Sequence, residues 1–386
     1  MIIGVVEYLS KNNAISVNTI SNMDELLKIE DSWNEFIRDH ARNPFFLSGF
    51  FKEFMSLSQN SNWAPAVLIF SVSGKIVGIA PLATKTKLGV RMGKFLLTSD
   101  LSPDLILDDK YQELCFDKTF DYMFTTLHCK LVFLTVFAKS PSFEKLKQLG
   151  SKKRLALFAT PAKGHRILPV KGTWAEFEAF RGRNFRRKFK GMERNLDRCG
   201  SWRISCIENG KEEFNVVKKI FDIEKMSWKE ELRVRTGKKD TDLLIFLEGS
   251  QHMVKIEPGF KWNVWFLELN DQAIAYSLFI EYKGVSYCVK TSYDRRRKRL
   301  YPGIYVLNAA LCEFFNKHQI REIDFLTDLP FQETWTSLCS PRVRIMMARS
   351  SVLLSMAKFA FLSKPVKGIL ALLSKRVPSI ADLIGL

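Results

Sequence analysis

Three apolar runs separated by tight turns constrain the fold of this chain more than any other feature of its sequence. The runs cover residues 264–269, 273–280 and 285–291, and they are rich in β-branched and aromatic side chains. The pairs Asn-Asp and Lys-Gly stand at the two junctions, and such pairs favour tight turns between antiparallel strands. The pattern therefore predicts a three-stranded antiparallel meander.

The third run leads directly into a basic stretch and then into a helix. Residues 293–303 read YDRRRKRLYPG and include five consecutive cations, Arg295 to Arg299. Proline suits the first turn of a helix, where its missing N–H costs nothing, and glycine lets a ligand approach the backbone closely. The residues expected to contact the ligand are Arg295, Arg297, Lys298, Arg299, Tyr301, Pro302 and Gly303.

The ligand implied by this order is a di- or polyphosphate. A helix start offers free backbone N–H groups and about half a positive charge, and cations lie just upstream of it. We expect the first helical turn to tolerate a side chain at Gly303 without unfolding. The alternative is a solvated basic turn that follows a strand. The helix is predicted over 304–317, and a short strand over 322–326 closes the unit.

The first half of the chain has a similar alternation of helices and hairpins. Asn22 caps a helix predicted to run to about His40, and residues 66–83 form a hairpin around Ser-Gly-Lys. A buried strand is predicted over 131–137. The stretch Pro161-Ala162-Lys163-Gly164 is typical of a linker and predicts a domain boundary.

A long basic helix is predicted from Trp174 to about Arg198, with Thr173 as its cap. Its later half is strongly cationic and contains only Glu193 and Asp197 as acids. This predicts either a solvated basic surface or a phosphate-facing wall. The side chains expected to form its buried face are Phe180, Phe185, Phe189 and Met192.

Composition limits the class of protein and of partner. A chain of 386 residues with 46% hydrophobic and 26% charged residues is globular and long enough for two domains. Its net charge of +18 implies an anionic partner, either a phosphate-bearing ligand, a nucleic acid or an acidic membrane surface. Seven scattered Cys and five His residues form no CxxC pair or zinc pattern, which indicates a reducing cytoplasm and no metal.

The end of the chain is apolar and interrupted by lysines. The runs 352–362 and 366–373 are both shorter than the roughly 18 to 20 residues that a bilayer span needs. They fit interfacial helices near anionic head groups, and they equally fit a cap on the C-terminal core.

The order of motifs in the second half resembles the CelD-like branch of the GNAT acyltransferases, which is similar to the Fem peptidyltransferases. The resemblance rests on the meander, Tyr-Asp, the basic stretch, Tyr-Pro-Gly, the helix and then IDFLTDLPFQETW, and it extends over residues 16–350. It implies an α/β (α+β) mixed-sheet fold with two tandem GNAT-like domains. The expected parts are a degenerate domain at 1–163, the acyltransferase domain at 164–345 and an amphipathic helical tail at 346–386.

In the family, the loop after the central strand, here 285–291, holds the pyrophosphate of acyl-CoA. The resemblance therefore implies acetyl-CoA or another acyl-CoA as co-substrate and an amine or hydroxyl acceptor, such as an amino sugar or a cell-envelope glycan precursor. Alternatives are a Fem-like transferase that uses aminoacyl-tRNA, or a non-catalytic basic module that binds RNA or an anionic membrane. A cytoplasmic protein, peripheral at the inner face of the membrane if the tail binds lipid, is expected.

The catalytic candidates depart from the usual pattern of the family. Many GNAT enzymes carry a carboxylate on the central strand and a tyrosine on a later helix. Here residues 285–291 contain no carboxylate, and residues 331–335 contain no tyrosine. We therefore predict Asp324 as the base and Tyr293 as the proton donor, with Glu268 as a further candidate. The alternatives are a capping role for Asp324 and a packing role for Tyr293.

Overall fold

The computed structural model describes residues 15–60, 62–97, 101, 104–209, 213–227, 230, 241–317 and 319–362. The chain divides into two compact units, and neither is a single contiguous stretch. The first unit comprises residues 1–41, 54–162 and 341–386, and the second comprises 42–53 and 163–340. The predicted domains are contiguous, so they differ from these units at 42–53 and after residue 340.

Fifteen strands and eleven α-helices occur in the described residues. The strands are β1 Ser16–Ile20, β2 Ala64–Pro65, β3 Val67–Val72, β4 Lys75–Ala80, β5 Leu82–Lys87, β6 Val90–Phe95, β7 Ile106–Leu107, β8 Leu131–Phe137, β9 Ala156–Pro169, β10 Trp202–Glu208, β11 Lys261–Leu269, β12 Gln272–Tyr282, β13 Val285–Tyr293, β14 Glu322–Asp324 and β15 Cys339–Ala348. The helices are α1 Met23–Leu27, α2 Glu30–His40, α3 Ser48–Asn60, α4 Gln112–Asp121, α5 Pro141–Lys152, α6 Trp174–Arg181, α7 Arg183–Asp197, α8 Glu213–Met226, α9 Thr241–Ile256, α10 Pro302–Asn316 and α11 Ser351–Leu362.

The first unit contains two groups of paired strands. One has the order β1-β3-β4-β7 and is antiparallel throughout, and the other has the order β15-β8-β6-β5-β2. The expected hairpin is present as β3 and β4, and the Asn22 side chain accepts a hydrogen bond from the Glu25 backbone N–H at 3.0 Å. Helix α2 buries Trp33 and Phe36, as its apolar spacing predicts.

The second unit is built on six strands in the order β10-β11-β12-β13-β14-β9. Neighbours are antiparallel except β13 and β14, which are parallel. The predicted meander is present as β11 to β13, and the predicted central strand, β13, lies between β12 and β14. Helix α10 packs on one face of this sheet, while α8 contacts β12 and β13. The expected mixed α/β fold is confirmed.

The long basic helix predicted from Trp174 to Arg198 is two helices. Gly182 has φ of +85°, a left-handed value that favours glycine, and it separates α6 from α7. The break changes the helical phase, so that Phe180 is 84% exposed whereas Phe185 and Phe189 are buried. The prediction that Phe180 belongs to the buried face was therefore wrong.

The predicted boundary stretch 161–164 contains the point at which the two units divide, between Ala162 and Lys163. Locally it is not a turn, since these residues lie inside the continuous strand β9. Gly164 is needed for close backbone approach rather than for a turn. A Cβ atom at this position would lie 2.5 Å from the Ser340 carbonyl oxygen. A glycine inside a strand often marks such an approach.

The expected helical tail from residue 346 begins with the end of a strand, because β15 pairs with β8 as far as Ala348. Helix α11 follows, with Leu354 buried and Val352, Met356 and Phe359 exposed. The run 366–373 lies outside the described residues. No helix within the described ranges is long and apolar enough to cross a membrane.

Candidate functional site

The basic stretch forms a 3₁₀ turn, Arg295–Leu300, between β13 and α10. Asp294 caps the turn, because its side chain accepts a hydrogen bond from the Arg296 backbone N–H at 2.9 Å. Tyr301 then adopts the left-handed conformation, with φ of 52°, and Pro302 begins α10. The predicted order of strand, basic turn, Pro-Gly and helix is present, with the helix beginning two residues earlier than predicted.

Asp294 fixes one of the five cations. Its carboxylate accepts hydrogen bonds from Arg296 Nε at 3.0 Å and from Arg296 Nη2 at 2.7 Å, and the Asp294 side chain is almost fully buried. Burial alone would raise the pKa of this carboxyl, but the hydrogen bonds and charge of Arg296 outweigh it and lower the pKa. Arg296 is therefore committed to holding the turn.

Three of the remaining cations have no acidic partner. Arg297, Lys298 and Arg299 are exposed, and within the described part of the chain none forms an ion pair or side-chain hydrogen bond. They precede the first turn of α10, whose N-terminal N–H groups carry partial positive charge. The turn thus presents unneutralised cations beside a helix start, which is the arrangement that binds phosphate.

Gly303 and Tyr293 pack against each other. A Cβ atom on Gly303 would lie 3.1 Å from Tyr293 Cδ1 and 3.6 Å from Thr291 Cγ2. Gly303 is buried and Tyr293 is half-buried. This contact argues against the expectation that the first helical turn tolerates a side chain as large as valine at Gly303, because the start of α10 lies directly on the end of β13.

Strands β13 and β14 pair only at their beginnings. Their register joins Val285 to Glu322 and Tyr287 to Asp324, and no later residue of β13 pairs with β14. In the described residues, the rest of β13, from Cys288 to Tyr293, has no partner strand on this side. The sheet therefore opens beyond Asp324 and leaves one edge of the central strand available.

Asp324 lies at the start of this opening and contacts a buried histidine. Its carboxylate oxygens are 3.1 and 3.3 Å from His165 Nδ1, and one oxygen accepts a hydrogen bond from the Leu326 N–H at 2.7 Å. His165 is fully buried and the Asp324 side chain is 13% exposed. Tyr287 is the neighbour of Asp324 on β13, and burial and then the Asp324 charge raise the pKa of its phenol.

Asp324 and Tyr293 are not brought together. Tyr293 lies six residues beyond Tyr287 on β13, which is about 20 Å at the usual rise of a strand. A base and a proton donor separated by this distance cannot act on the same atom. The pairing of Asp324 with Tyr293 is therefore not supported, although each residue separately lines the unpaired part of β13.

Glu268 is engaged by two cations. Lys219 Nζ lies 2.8 Å from one of its oxygens and Arg203 Nε lies 2.6 Å from the other, while the Glu268 side chain is 3% exposed. Burial by itself raises the pKa of this carboxyl, but the hydrogen bonds and charges of Lys219 and Arg203 prevail and lower it. A carboxylate held in this way is a poor base.

A second buried carboxylate beside the central strand was missed from the sequence. Glu224 of α8 accepts a hydrogen bond from the Tyr276 hydroxyl at 2.5 Å, and it lies 3.8 Å from Lys290 Nζ on β13. The Glu224 side chain is 1% exposed and that of Lys290 is 13% exposed. Lys290 inside an otherwise uncharged strand was the available signal, since a mostly buried cation requires a partner.

Within the described ranges, no group of three or more His, Cys, Asp or Glu side chains is placed to hold a metal ion.

Comparison with known proteins identifies part of the chain. Residues 183–333 match the family model described as "Acetyltransferase (GNAT) domain". The matched residues lie in the second unit, which is thus similar to the GNAT domain. The matched segment includes α7, the meander, the basic turn, α10 and Asp324. No curated protein sequence matches the chain significantly.

Solved structures with the same fold share little sequence with this chain. The C-terminal domain of a putative lysylphosphatidylglycerol synthetase from Agrobacterium fabrum is 8% identical, with a TM-score of 0.53 over 86% of this chain and 95% of that one. A structure of FemX is 10% identical, with a TM-score of 0.54 over 85% and 97%. A structure of L-PGS from Bacillus licheniformis is 8% identical, with a TM-score of 0.50 over 86% and 94%. At these identities the comparisons establish the fold alone.

Proposed function

We propose that the protein transfers an acyl group from acyl-CoA, with acetyl-CoA as the first donor to test, to an amine. One observation carries the proposal. The edge of β13 that has no partner strand runs from the Asp324–His165 pair to the basic turn, Arg295–Leu300, at the start of α10. The two ends are about 20 Å apart. The extended pantetheine arm of CoA, which joins the pyrophosphate to the thioester, has a comparable length.

The donor would lie along β13. Arg297, Lys298 and Arg299, together with the positive end of the α10 dipole, would bind the pyrophosphate through charge-assisted contacts. The amide groups of the pantetheine arm would hydrogen-bond to the free edge of β13, as an added strand does. Arg295, Tyr301, Pro302 and Gly303 would shape the turn, with Gly303 holding α10 against Tyr293.

The thioester would then lie near Asp324 and His165. Asp324, oriented by His165 and by the Leu326 N–H, would remove a proton from the incoming ammonium group, directly or through a water. The free amine attacks the thioester carbonyl, the tetrahedral intermediate collapses, and the C–S bond breaks. The CoA thiolate leaves and takes up a proton, so that the products are an amide and CoA.

Glu224 is the alternative base, because its buried carboxylate also lies beside β13. Its contacts with Tyr276 and Lys290 argue for a structural role, since both ligands of the carboxylate come from the sheet beneath it. Asp324 lies at the point where the strands separate, and its side chain is partly exposed there. This difference in exposure favours Asp324.

The acceptor follows from the resemblance to the CelD-like branch. An amino sugar or a cell-envelope glycan precursor is the first class to test, and a hydroxyl acceptor is the second. Aminoacyl-tRNA is the alternative donor, because the fold is shared with a FemX structure and the chain carries a net charge of +18. A cytoplasmic location is part of the same proposal.

The test combines donor binding with transfer. CoA at 100 times its dissociation constant should stabilise the protein by about 2.7 kcal/mol, which raises the melting temperature by about 5–10 °C for a unit of this size. Transfer is followed as thiol release from acetyl-CoA in the presence of glucosamine and simple primary amines. The double variant Arg297→Ala, Arg299→Ala should lose the stabilisation, whereas Lys75→Ala, an exposed cation of the β3–β4 turn, should keep it.

The same assay separates the alternatives. No stabilisation by CoA or acetyl-CoA, with an intact melting curve, would exclude the donor site. Stabilisation by aminoacyl-tRNA instead would favour the Fem-like reaction. Binding of RNA or anionic vesicles that is lost in the double variant, without any CoA effect, would favour a non-catalytic basic module.

A further inference from the structure

A second cleft of about 480 Å³ lies in the second unit between α6, α7, α10 and the strands β10 and β11. This volume falls in the range of small-molecule sites. Trp174 of α6 and Trp265 of β11 line it, so that an apolar surface is available to a ligand. None of the residues assigned above to donor binding or proton transfer lines the cleft.

Charges of both signs line the cleft, and one of them, Glu193, accepts a hydrogen bond from the Tyr305 hydroxyl at 3.0 Å. Arg186 and Lys190 of α7 line it together with Glu178 of α6 and Glu313 of α10. Within the described residues, none of these four side chains forms an ion pair or hydrogen bond. Unpaired opposite charges around one cleft are complementary to a ligand that itself carries both signs.

Asn308 supplies a buried hydrogen-bond donor, which indicates that the cleft binds a ligand. It is 9% exposed and lines the cleft, and its Oδ1 accepts a hydrogen bond from Trp335 Nε1 at 2.9 Å. An indole N–H can only donate, so the amide orientation is fixed and its NH₂ group must point the other way. In the described structure this NH₂ group has no protein partner. A carboxylate beside Lys190 would satisfy it.

The other end of the cleft is negative. Cys312 lies near Glu178 and Glu313, and burial followed by these two carboxylates raises the pKa of its thiol to about 11. The thiol therefore stays protonated at neutral pH, and the cleft offers no nucleophile. An ammonium group would be favoured here by the carboxylates and by the aromatic face of Trp174.

The spacing along α10 suits a compact ligand. Asn308 and Glu313 are five residues apart, which is about 7.5 Å along a helix. This rise separates their Cα positions along the helix axis, and both side chains line the cleft. We infer that this cleft binds a free α-amino acid, with its carboxylate at Asn308 and Lys190, its ammonium group at Glu178 and Glu313, and an apolar side chain against the tryptophans.

Calorimetry with L-phenylalanine tests the inference, with two compounds as charge controls. Phenethylamine lacks the carboxylate and 3-phenylpropionate lacks the ammonium group, so each should bind at least tenfold more weakly than the amino acid. L-Leucine should also bind, because the apolar surface is not specific to aromatic rings. The full-length protein is used without CoA, so that failure of the donor-site proposal would not affect the result.

Variants locate the site. Lys190→Met and Asn308→Asp should each weaken phenylalanine binding at least tenfold, and Asn308→Asp keeps the oxygen that accepts from Trp335. Arg187→Ala, an exposed cation of the same helix outside the cleft, should leave binding unchanged. Melting curves identify any variant that fails to fold, and Lys190→Met, at an exposed position, keeps the test decisive if Asn308→Asp is unstable.

Three results would overturn the inference. The first is no binding of either amino acid at millimolar concentration, and the second is equal binding of the two charge controls. The third is competition by adenosine 3′,5′-diphosphate, which would make the cleft part of the donor site.

Discussion

Replacing Gly303 with valine should destabilise the second unit, because α10 begins in direct contact with β13. The Cβ atom alone would lie 3.1 Å from Tyr293 Cδ1, a distance at which the ring must move by a few tenths of an ångström. The two further methyl groups of valine have still less room. Thr291 Cγ2, 3.6 Å from the same Cβ position, limits movement on the other side.

The size of the effect depends on which side chain is introduced. For Gly303→Ala, the small clash is offset by the higher helix propensity of alanine, which is up to about 1 kcal/mol, so the net change should be near zero. For Gly303→Val, overpacking costs about 1–3 kcal/mol. With about 2–4 °C per kcal/mol for a unit of this size, the melting temperature should fall by about 2–12 °C.

Thermal unfolding followed by circular dichroism measures this, with Gly191→Val as the matched control. Gly191 lies inside α7, and a Cβ atom there would meet no atom within 4 Å. This control should melt at or above the wild-type temperature, since valine has a higher helix propensity than glycine.

The double variant Tyr293→Leu, Gly303→Val should recover part of the loss, because the two residues are in contact and their effects are not additive. A Gly303→Val protein that melts like wild type would refute the packing argument. Gly303→Ala with normal melting and weakened CoA binding would instead show that the ligand, not the ring of Tyr293, limits the side chain at this position.

Three further predictions follow from the site. Arg297→Ala and Arg299→Ala should each weaken CoA binding about tenfold or more, since a charge-assisted contact is worth about 1.5–3 kcal/mol. Calorimetry with pantetheine, which lacks the phosphates, should show no change, and an equal loss for pantetheine would contradict the assignment. Asp324→Asn should lower kcat by about 10²–10⁴-fold with little change in the KM of acetyl-CoA. A change confined to KM would argue against a role for Asp324 as the base. His165→Gln should lower kcat by a smaller factor. Glu268→Gln should lower the melting temperature at neutral pH and make it less dependent on acid. The folded pKa of Glu268 is lowered, so the stability that its carboxylate contributes is present above the unfolded pKa of about 4.3 and is lost as pH falls through the folded pKa. Parallel curves of melting temperature against pH for variant and wild type would disprove this.

Local sequence patterns were sufficient to predict the meander and the turn that follows it. Strand alternation, two-residue turns and a proline at a helix start act over a few residues, so β11 to β13 and the start of α10 could be predicted from the sequence. The presence of a basic turn before Pro302 is local in the same sense. Asp294 and Arg296 are only two residues apart in the sequence, but the role of Asp294 in capping the turn was not predicted.

Long-range packing decided the features that were missed. The stretch 161–164 resembles a linker by composition, yet it lies within β9. There the missing side chain of Gly164 allows close approach of the Ser340 backbone. Residues 346–348 were predicted as part of a helical tail, yet β15 includes them because β8 provides a partner strand. Propensity cannot predict such pairings, since the partner lies far away along the chain.

The candidate site shows the same division. The charged residues of the site can be read from the sequence, but which of them remain without an ion-pair partner depends on tertiary contacts between distant residues. Lys219 and Arg203 engage Glu268, whereas His165 contacts an Asp324 that remains partly exposed. The sequence by itself determined the basic turn and the strand that leads to it, and the tertiary structure decided which carboxylate stands at the opening. The physical reason is that the reactivity of a carboxyl group is set by burial and by neighbouring charges, which only the folded chain brings together.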